Sequence, residues 1–419
     1  MDILRVMGGH RLKGSVNING SKNAALPIMA ASLMSSGEVI LNDVPELEDI
    51  SVMIRALESL GAHIKREGHT LIIDSSHIHR FQVDESIARR MRASNLLMGA
   101  LLGRFGQARV AYPGGCAIGS RPMDIHIKGF QRLGYDISDL PGYMDGRANQ
   151  VNGREIMLDI PSVGATENIM MAAVFAPGQT LLRNAAREPE IVDLQNFLNR
   201  MGARIRGAGL DCIRIDGVKT LRGTEHSVIS DRIEAGTFMV AAALTRGDVW
   251  VENVILEHLQ PVIAKLGETG AEIMTRPGRV RVIGNRNYSA TDIKTMPYPG
   301  FPTDMQAQMM SFLCMTPGTS VIVENIFENR FMHVQELRRM GAEIKIEGRV
   351  AIISGGKLKG AAVEASDLRA GAALILAGLG AEGETRISRL DHLDRGYERI
   401  HERFQALGAD IVRERTVDN

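Results

Sequence analysis

The chain of 419 residues has little of what several classes of protein require. Its three cysteines are far apart and show no paired spacing, which argues against a disulfide framework or a zinc site and favours a reducing compartment. Lys and Arg together number 49, as do Asp and Glu, so no net charge favours nucleic acid or an anionic membrane as a partner. The most apolar stretch, residues 370–381, is shorter than the roughly 20 residues that span a bilayer.

Further motifs are missing from the sequence. Residues 1–5 lack the basic and apolar regions of a signal peptide, so we expect a cytoplasmic protein. There is no GxxxxGK[ST] phosphate loop and no strand–GxGxxG–helix fingerprint. The histidines show no metal-ligand spacing such as HExxH. We therefore expect neither a metal nor an organic cofactor.

Glycines recur in two series with a period of about 70 residues. The first series precedes short β-rich runs and consists of Gly37, Gly106, Gly178, Gly247, Gly318 and Gly383. The second follows amphipathic stretches and consists of Gly61, Gly134, Gly202, Gly270, Gly341 and Gly408. Because both series have the same period, they predict six structural repeats.

Each repeat has the same pattern of segments. An apolar, Ala-rich helix such as residues 24–35 or 237–245 is followed by a first-series glycine suited to a left-handed C-cap. A strand, a second helix such as residues 191–201, another capping glycine and a hairpin follow. The pattern predicts an α/β protein of six βαβαββ repeats, three in each of two domains.

The predicted domain boundary is discontinuous. Residues 22–229 would form one domain with three repeats and the Cys116 loop. Residues 1–21 and 230–419 would form the second, because closing a circle of repeats can place the β-rich segment 3–19 beside the C-terminal half. We expect the active site in the cleft between the two domains.

A row of chemically related residues lies 14 or 15 positions before each first-series glycine, where the first helix of the repeat should begin. The row consists of Lys22, Arg92, Gly164, Arg232, Asp304 and Arg369. Helix N-termini attract anions, whereas a cation there does not stabilise the helix. Four basic residues in this row therefore indicate anion binding, although solvated side chains beside ordinary helix caps remain an alternative.

A second row lies in the loops before the second helices and consists of Cys116, Arg121, Arg187, Arg330 and Arg395. Together the two rows predict a basic cleft for a small, multiply anionic substrate. Three glycines near Cys116 indicate a mobile loop, and Arg121 would favour a reactive thiolate. A small buried hydrophobe is the alternative for Cys116. We interpret Cys314 as a core residue of an apolar helix and Cys212 as a residue of a hairpin strand, both with structural positions.

Asp304 is the only acid in the first row. It could act as a general base towards a substrate hydroxyl. Its position at a helix start is equally compatible with a capping role.

The chain resembles the enolpyruvyl transferases that act on UDP-N-acetylglucosamine, over nearly its full length. The resemblance is carried by NGSKNAALP (19–27), MRAS (91–94), PGGC (113–116), SVGAT (162–166), DRIE (231–234), FPTDMQAQ (301–308), ENRFMH (328–333), DLR (367–369) and DRGYER (394–399). It implies a pair of inside-out α/β domains and transfer of the enolpyruvyl group of phosphoenolpyruvate to the sugar 3-hydroxyl. That reaction commits precursors to peptidoglycan, and the enzymes that catalyse it are the target of fosfomycin.

The resemblance also implies roles for individual residues. Lys22, Arg121 and Arg395 would hold phosphoenolpyruvate, and Asp304 would deprotonate the sugar. Cys116 would donate the proton and can form a covalent adduct with phosphoenolpyruvate. The UDP-sugar would be bound by Asn23, Arg92, Arg121, Pro122, Met123, Asp124, Ile125, Ser162, Val163 and Ile326.

The two rows add Gly164, Arg232, Arg330 and Arg369 to the predicted substrate-binding residues. Two positions depart from the family pattern: Ile160, where some members have Lys, and Gly371, where a Ser is usual. Shikimate 3-phosphate as acceptor is the nearest alternative function, and a non-catalytic nucleotide-sugar sensor is a second. We expect a monomer or a weak homo-oligomer.

Overall fold

The structure is a computed structural model that describes residues 2–112, 123–285 and 287–415, with the backbone alone of Arg92. Three predicted site residues, Cys116, Arg121 and Pro122, lie outside the described residues. The described chain divides into two compact units. The first unit contains residues 20–112 and 123–229, and the second contains residues 2–19, 230–285 and 287–415.

The described residues form helices of two kinds. The α-helices are α1 (Lys22–Ser32), α2 (Glu48–Leu60), α3 (Glu85–Ala88), α4 (Leu96–Phe105), α5 (Asp124–Leu133), α6 (Val163–Ala173), α7 (Pro189–Met201), α8 (Arg232–Leu244), α9 (Gln260–Glu268), α10 (Gln306–Leu313), α11 (Val334–Arg339), α12 (Leu368–Gly380) and α13 (Ile400–Ala406). The 3-10 helices are Arg92–Asn95, Leu256–His258, Thr303–Met305 and Leu393–Arg395. Within the ranges described, no helix combines the length and the apolar composition needed to cross a membrane.

The strands of the first half of the chain are β1 (Asp2–Met7), β2 (Lys13–Asn17), β3 (Val39–Asn42), β4 (His63–Glu67), β5 (Thr70–Asp74), β6 (Gln82–Val83), β7 (Gln107–Ala111), β8 (Tyr135–Leu140), β9 (Tyr143–Ala148), β10 (Glu155–Met157), β11 (Gln179–Arg183) and β12 (Arg204–Arg206). Those of the second half are β13 (Cys212–Asp216), β14 (Glu225–Ser227), β15 (Asp248–Glu252), β16 (Glu272–Arg276), β17 (Arg279–Ile283), β18 (Ile293–Lys294), β19 (Thr319–Val323), β20 (Glu343–Glu347), β21 (Val350–Ser354), β22 (Ala362–Glu364), β23 (Glu384–Ser388) and β24 (Asp410–Arg415).

The strands form six four-stranded sheets within the described residues, one for each predicted repeat. The sheet β18-β19-β21-β20 shows the common plan: β18 is parallel to β19, and the antiparallel strands β21 and β20 follow. With α10 after β18 and α11 after β19, this repeat has the order β-α-β-α-β-β. The predicted α/β fold of six βαβαββ repeats is therefore confirmed.

Two sheets exchange their parallel strands. Strand β2 leads into α1, yet it pairs with β15, which follows α8. Strand β14 leads into α8, yet it pairs with β3, which follows α1. Strand β1 lies between β23 and β24 and pairs antiparallel with both, with Leu4 opposite Ile387 and Arg413. The N-terminal strands thus complete the sheets of the C-terminal half.

The first helix of each repeat is buried on nearly all sides. In α12, every residue from Arg369 to Leu379 is buried, which is typical of a helix at the centre of a domain rather than on its surface. In the second unit α8, α10 and α12 pack against one another, and in the first unit α4 packs against α1 and α6. Each unit has its own hydrophobic core, and the buried first helices of its repeats lie within that core.

The second glycine series behaves as predicted, because all six glycines have a positive φ and end their helices. The prediction of left-handed caps for the first series is wrong at Gly37 and Gly247. At Gly247 the preceding Arg246 adopts the left-handed conformation, with a φ of 53°. A Cβ atom on Gly247 would lie 2.3 Å from the carbonyl oxygen of Leu12, so close backbone approach explains this glycine.

The two described cysteines have structural positions, as predicted. Cys314 is buried at the end of α10, where burial raises the pKa of its thiol to about 12. Cys212 begins the hairpin strand β13 and is half-buried.

Candidate active site

All six residues of the first predicted row lie at the start of the first helix of their repeat. Lys22 and Arg232 begin α1 and α8, Gly164 and Arg369 are the second residues of α6 and α12, and Arg92 and Asp304 lie in the 3-10 turns that lead into α4 and α10. Side-chain caps define three of these starts: Ser162 on α6, Asp231 on α8 and Asp367 on α12. The repeat period therefore located a real structural feature.

Lys22 is held by a residue that the sequence did not single out. Its Nζ atom lies 2.9 Å from Oδ2 of Asp49, which is in the first turn of α2. The side chains of Lys22 and Asp49 are only 11% and 5% exposed. In such surroundings the carboxylate fixes the ammonium group in position. The neighbouring Asn23 is exposed and available to a ligand.

The turn that contains Arg92 is tied to the middle of α6 through Asn168. The side-chain amide of Asn168 donates to the carbonyl oxygen of Asn95 (3.1 Å) and lies 3.0 Å from Nδ1 of His126 on α5. The ring of His126 faces Gly164, where a Cβ atom would lie 3.4 Å from its Cε1 atom. Three elements predicted to bind the UDP-sugar are therefore connected in the first unit.

The remaining predicted residues of the first unit differ in exposure. Asp124, at the start of α5, is exposed, whereas Met123 and Ile125 are buried. The buried pair can therefore offer a ligand mainly backbone atoms. Ser162 and Val163 are partly exposed at the start of α6, and Ile160 is an exposed hydrophobic side chain just before them.

Asp304 forms the centre of an ion cluster in the second unit. Its Oδ1 accepts a hydrogen bond from Nη2 of Arg330 (2.9 Å), and its Oδ2 accepts from Nε and Nη2 of Arg369 (3.2 and 3.0 Å). Both arginine side chains are 4% exposed, while that of Asp304 is 27% exposed. The capping interpretation is wrong, since Asp304 lies inside its 3-10 turn and Pro302 occupies the N-cap. The two guanidinium groups therefore fix the carboxylate of Asp304, which remains partly exposed.

Two side chains around this cluster have strongly shifted pKa values. Burial lowers the pKa of Arg369, but the combined effect of Tyr397 and Asp304 is larger and opposite. The pKa of Arg369 is therefore well above its ordinary value. Burial lowers the pKa of His333 to about 4, against an opposing effect of Asp367 and with a further contribution from Arg330. His333 is therefore neutral at pH 7, and among the described residues Arg330 and Arg369 bring positive charge to Asp304.

The loop that contains Ile326 is fixed next to this cluster by Glu324. One carboxylate oxygen of Glu324 accepts hydrogen bonds from the backbone of Ile326 (2.9 Å) and Phe327 (3.2 Å). The other accepts from the hydroxyl of Thr303, the residue before Asp304 (2.9 Å). The predicted sugar-binding residue and the predicted base thus share one buried acid.

Three other predicted basic residues have contacts of their own. The guanidinium group of Arg232 lies 5.7 Å from the ring centroid of Tyr298. Arg395 is half-buried at the end of a 3-10 turn that Arg413 anchors through two 2.8 Å bonds to Asp394. Arg187 is exposed before α7 and lies 3.9 Å from Asp211.

Gly371 departs from the family pattern for a visible packing reason. A Cβ atom at this position would lie 3.3 Å from Cδ1 of Leu393 and 3.4 Å from Cβ of Ala365. Those distances leave little room for a larger residue next to Arg369.

Comparison with known proteins shows the class of enzyme to which the chain belongs. A family model for EPSP synthase (3-phosphoshikimate 1-carboxyvinyltransferase) matches residues 6–404. The enolpyruvyl transferase NikO from Streptomyces tendae has the same fold, with a TM-score of 0.88 at 24% identity over 98% of each chain. An EPSP synthase from Acinetobacter baumannii has a TM-score of 0.74 at 19% identity, over 99% of this chain and 100% of the other. The chain is an enolpyruvyl transferase of the EPSP synthase family, as the resemblance predicted.

Closer relatives define the group within that family. UDP-N-acetylglucosamine 1-carboxyvinyltransferase 1 of Caldanaerobacter subterraneus subsp. tengcongensis is 60% identical over 96% of this chain and 97% of the relative. The UDP-N-acetylglucosamine 1-carboxyvinyltransferase of Geobacter metallireducens is 54% identical over 99% of both chains. The chain belongs to the UDP-N-acetylglucosamine 1-carboxyvinyltransferase family.

Proposed function

We propose that this protein transfers the enolpyruvyl group of phosphoenolpyruvate to the 3-hydroxyl of UDP-N-acetylglucosamine and releases phosphate. The observation that carries the proposal is the identity of 51–60% to relatives named for this transfer, over 96–99% of the chain. The arrangement of Asp304 between two buried arginines supports it. We also propose that the protein acts in the cytoplasm, in the synthesis of peptidoglycan precursors, as a monomer or weak homo-oligomer.

The proposed reaction is an addition followed by an elimination. A proton is added to the methylene carbon of phosphoenolpyruvate, and the sugar 3-oxygen bonds to the neighbouring carbon as its own proton leaves. The resulting tetrahedral ketal still carries phosphate. Loss of a proton from the new methyl group and departure of phosphate restore the double bond. The protein must supply an acid and a base and hold two anionic substrates in place.

Asp304 is the proposed base, because its carboxylate is partly exposed and fixed in orientation by Arg330 and Arg369. Lys22, with its position fixed by Asp49, and Arg395 are proposed to bind the anionic donor. Cys116 is the proposed acid, and Arg121 a further anion ligand, on the basis of the sequence. The residues to which these roles are assigned belong to both units.

The nucleotide sugar is proposed to contact exposed or backbone groups of the first unit. Asn23, Asp124, Ser162 and Val163 present such groups, in addition to Arg92. In the second unit the backbone of Ile326 is fixed by Glu324 beside Asp304. We propose that the sugar hydroxyl, rather than the diphosphate, faces Asp304.

The family model carries the name of a transferase for shikimate 3-phosphate, so that acceptor is the second candidate function. The two are separated by measuring phosphate release from phosphoenolpyruvate with each acceptor in turn. We expect release with UDP-N-acetylglucosamine and only background with shikimate 3-phosphate. The reverse pattern would overturn the proposal, and no release with either acceptor would favour a non-catalytic sensor.

A further inference from the structure

Tyr397 contacts two residues that bind Asp304, namely Gln308 and Arg369. It is 2% exposed and follows the turn that contains Arg395. Its hydroxyl lies 2.9 Å from Oγ1 of Thr237 and 3.3 Å from Nε2 of Gln308. Its ring faces Arg369, whose guanidinium carbon is 5.4 Å from the ring centroid. One side chain thus touches α8, α10 and α12.

The hydroxyl and the ring of Tyr397 reach Asp304 by separate routes. The same amide nitrogen of Gln308 that contacts the hydroxyl also donates to the backbone oxygen of Asp304 (2.8 Å). The ring supports the guanidinium group of Arg369, which binds the carboxylate of Asp304. Because Tyr397 restrains both ends of Asp304, it restricts where the carboxylate can point.

The presence of the hydroxyl in this core has an energetic implication. Burying a hydroxyl is unfavourable unless it is hydrogen-bonded, and a phenylalanine would fill the same space without that requirement. The hydroxyl is bonded to polar side chains of α8, which begins at Arg232, and of α10, which follows the turn that contains Asp304. Its contribution is therefore to the geometry of the row rather than to apolar burial.

We propose that Tyr397 is a positioning residue for Asp304, acting through Gln308 and Arg369. The inference rests on the proposed function, in which Asp304 is the base. A small displacement of a catalytic group lowers the rate far more than it lowers substrate binding. Removing the hydroxyl should therefore lower kcat and leave the KM values for both substrates nearly unchanged.

The test compares Tyr397→Phe, Gln308→Met and the double variant in the full-length protein, with phosphate release as the assay. Tyr135→Phe is the matched control, since Tyr135 is also buried and its hydroxyl bonds to the carbonyl oxygen of Ala172 (3.1 Å) in the other unit. We expect Tyr397→Phe and Gln308→Met each to lower kcat about tenfold, and the double variant to lower it about tenfold rather than a hundredfold. Tyr135→Phe should leave kcat within about twofold.

Other outcomes of this experiment would overturn the positioning role of Tyr397. A kcat for Tyr397→Phe within about twofold of the parent, or losses that multiply in the double variant, would overturn the positioning role. If Tyr397→Phe does not fold, an unchanged kcat for Gln308→Met would overturn it as well. A parent protein that releases no phosphate with UDP-N-acetylglucosamine would instead refute the proposed function, and the positioning role with it.

Discussion

The Nζ atom of Lys22 and Oδ2 of Asp49 are 2.9 Å apart, and both side chains are almost completely buried. The lysine begins α1 and the aspartate lies in the first turn of α2, so the pair joins the two helices of the first repeat. A buried charge that loses its partner is costly, whereas an exposed pair contributes little. The pair therefore holds Lys22 in one place at the start of its helix.

This pair predicts a measurable coupling in stability. In a double-mutant cycle of Lys22→Met and Asp49→Asn, we expect a coupling of about 1–3 kcal/mol in the free energy of unfolding. The exposed pair of Lys128 and Asp159, 2.8 Å apart, is the control and should show no measurable coupling. Denaturant unfolding of the single and double variants measures both. Equal coupling in the two pairs would show that burial does not strengthen the first.

Asp304→Asn is predicted to affect both turnover and stability. Loss of the base should lower kcat by about a thousandfold. Loss of the charge removes the carboxylate that both buried guanidinium groups bind and should cost about 1–3 kcal/mol of stability. The sequence alone, with Asp304 as a helix cap, predicts almost no loss of stability for this change.

The matched control for Asp304→Asn is Asp248→Asn. Asp248 also accepts two hydrogen bonds from an arginine, Arg281, at 2.7 and 2.6 Å, but it lies on β15 rather than at a helix start. Its replacement should leave kcat unchanged. If Asp304→Asn retains turnover within about threefold of the parent, Asp304 is not the base.

Glu167 should make the stability of the protein fall as the pH rises. It is buried in α6, and burial, then Glu190 and Glu188, raise the pKa of its carboxyl well above the ordinary 4.5. The folded state therefore keeps a proton that the unfolded state loses, so the contribution to stability is complete below pH 4.5 and declines as the pH rises. Glu167→Gln should raise the melting temperature at pH 8, and the gain should vanish near pH 4.5.

Thermal unfolding at several pH values measures this difference. Glu343→Gln on the exposed face of β20 is the control and should change the melting temperature equally at every pH. A gain for Glu167→Gln that is constant with pH, or that grows towards acid, would contradict the assigned direction.

Two helical glycines should respond in opposite ways to alanine. A Cβ atom on Gly99 in α4 would lie 2.4 Å from the backbone oxygen of Asn168 in α6, so Gly99→Ala should cost about 2–3 kcal/mol. Gly267 in α9 has no atom within 4 Å of its added Cβ, so Gly267→Ala should stabilise by about 0.5–1 kcal/mol. Chemical denaturation of both variants tests the packing of α4 on α6. A neutral Gly99→Ala would show that these helices are not in close contact.

Much of the fold could be predicted from the sequence because the chain repeats. A common period places equivalent residues at equivalent points, so the period alone is enough to locate Lys22, Arg232 and Arg369 at helix starts. The exchange of β2 and β14 could not be predicted in the same way. Each strand precedes the helix of one repeat but pairs in the sheet of another, and only three-dimensional pairing shows this.

The contacts of the site were less predictable than its members. Arg330 and Arg369 are 26 and 65 residues from Asp304, and no local pattern links a carboxylate to partners so far away. Asp49 was missed because a single acid in the first turn of a helix is usually a favourable dipole interaction. Tyr397 was part of a recognised motif, but its contacts with Thr237 and Gln308 depend on helices from other repeats.

The central claim is that the three carbons of phosphoenolpyruvate become attached to the 3-oxygen of UDP-N-acetylglucosamine. It is tested most directly by incubating the protein with carbon-13-labelled phosphoenolpyruvate and the UDP-sugar, and following both the label and phosphate by NMR. We predict that one labelled enolpyruvyl group appears on the sugar for each phosphate released, and that Asp304→Asn abolishes both signals together. Release of phosphate without transfer of label to the sugar, or transfer that is unaffected by Asp304→Asn, would contradict it.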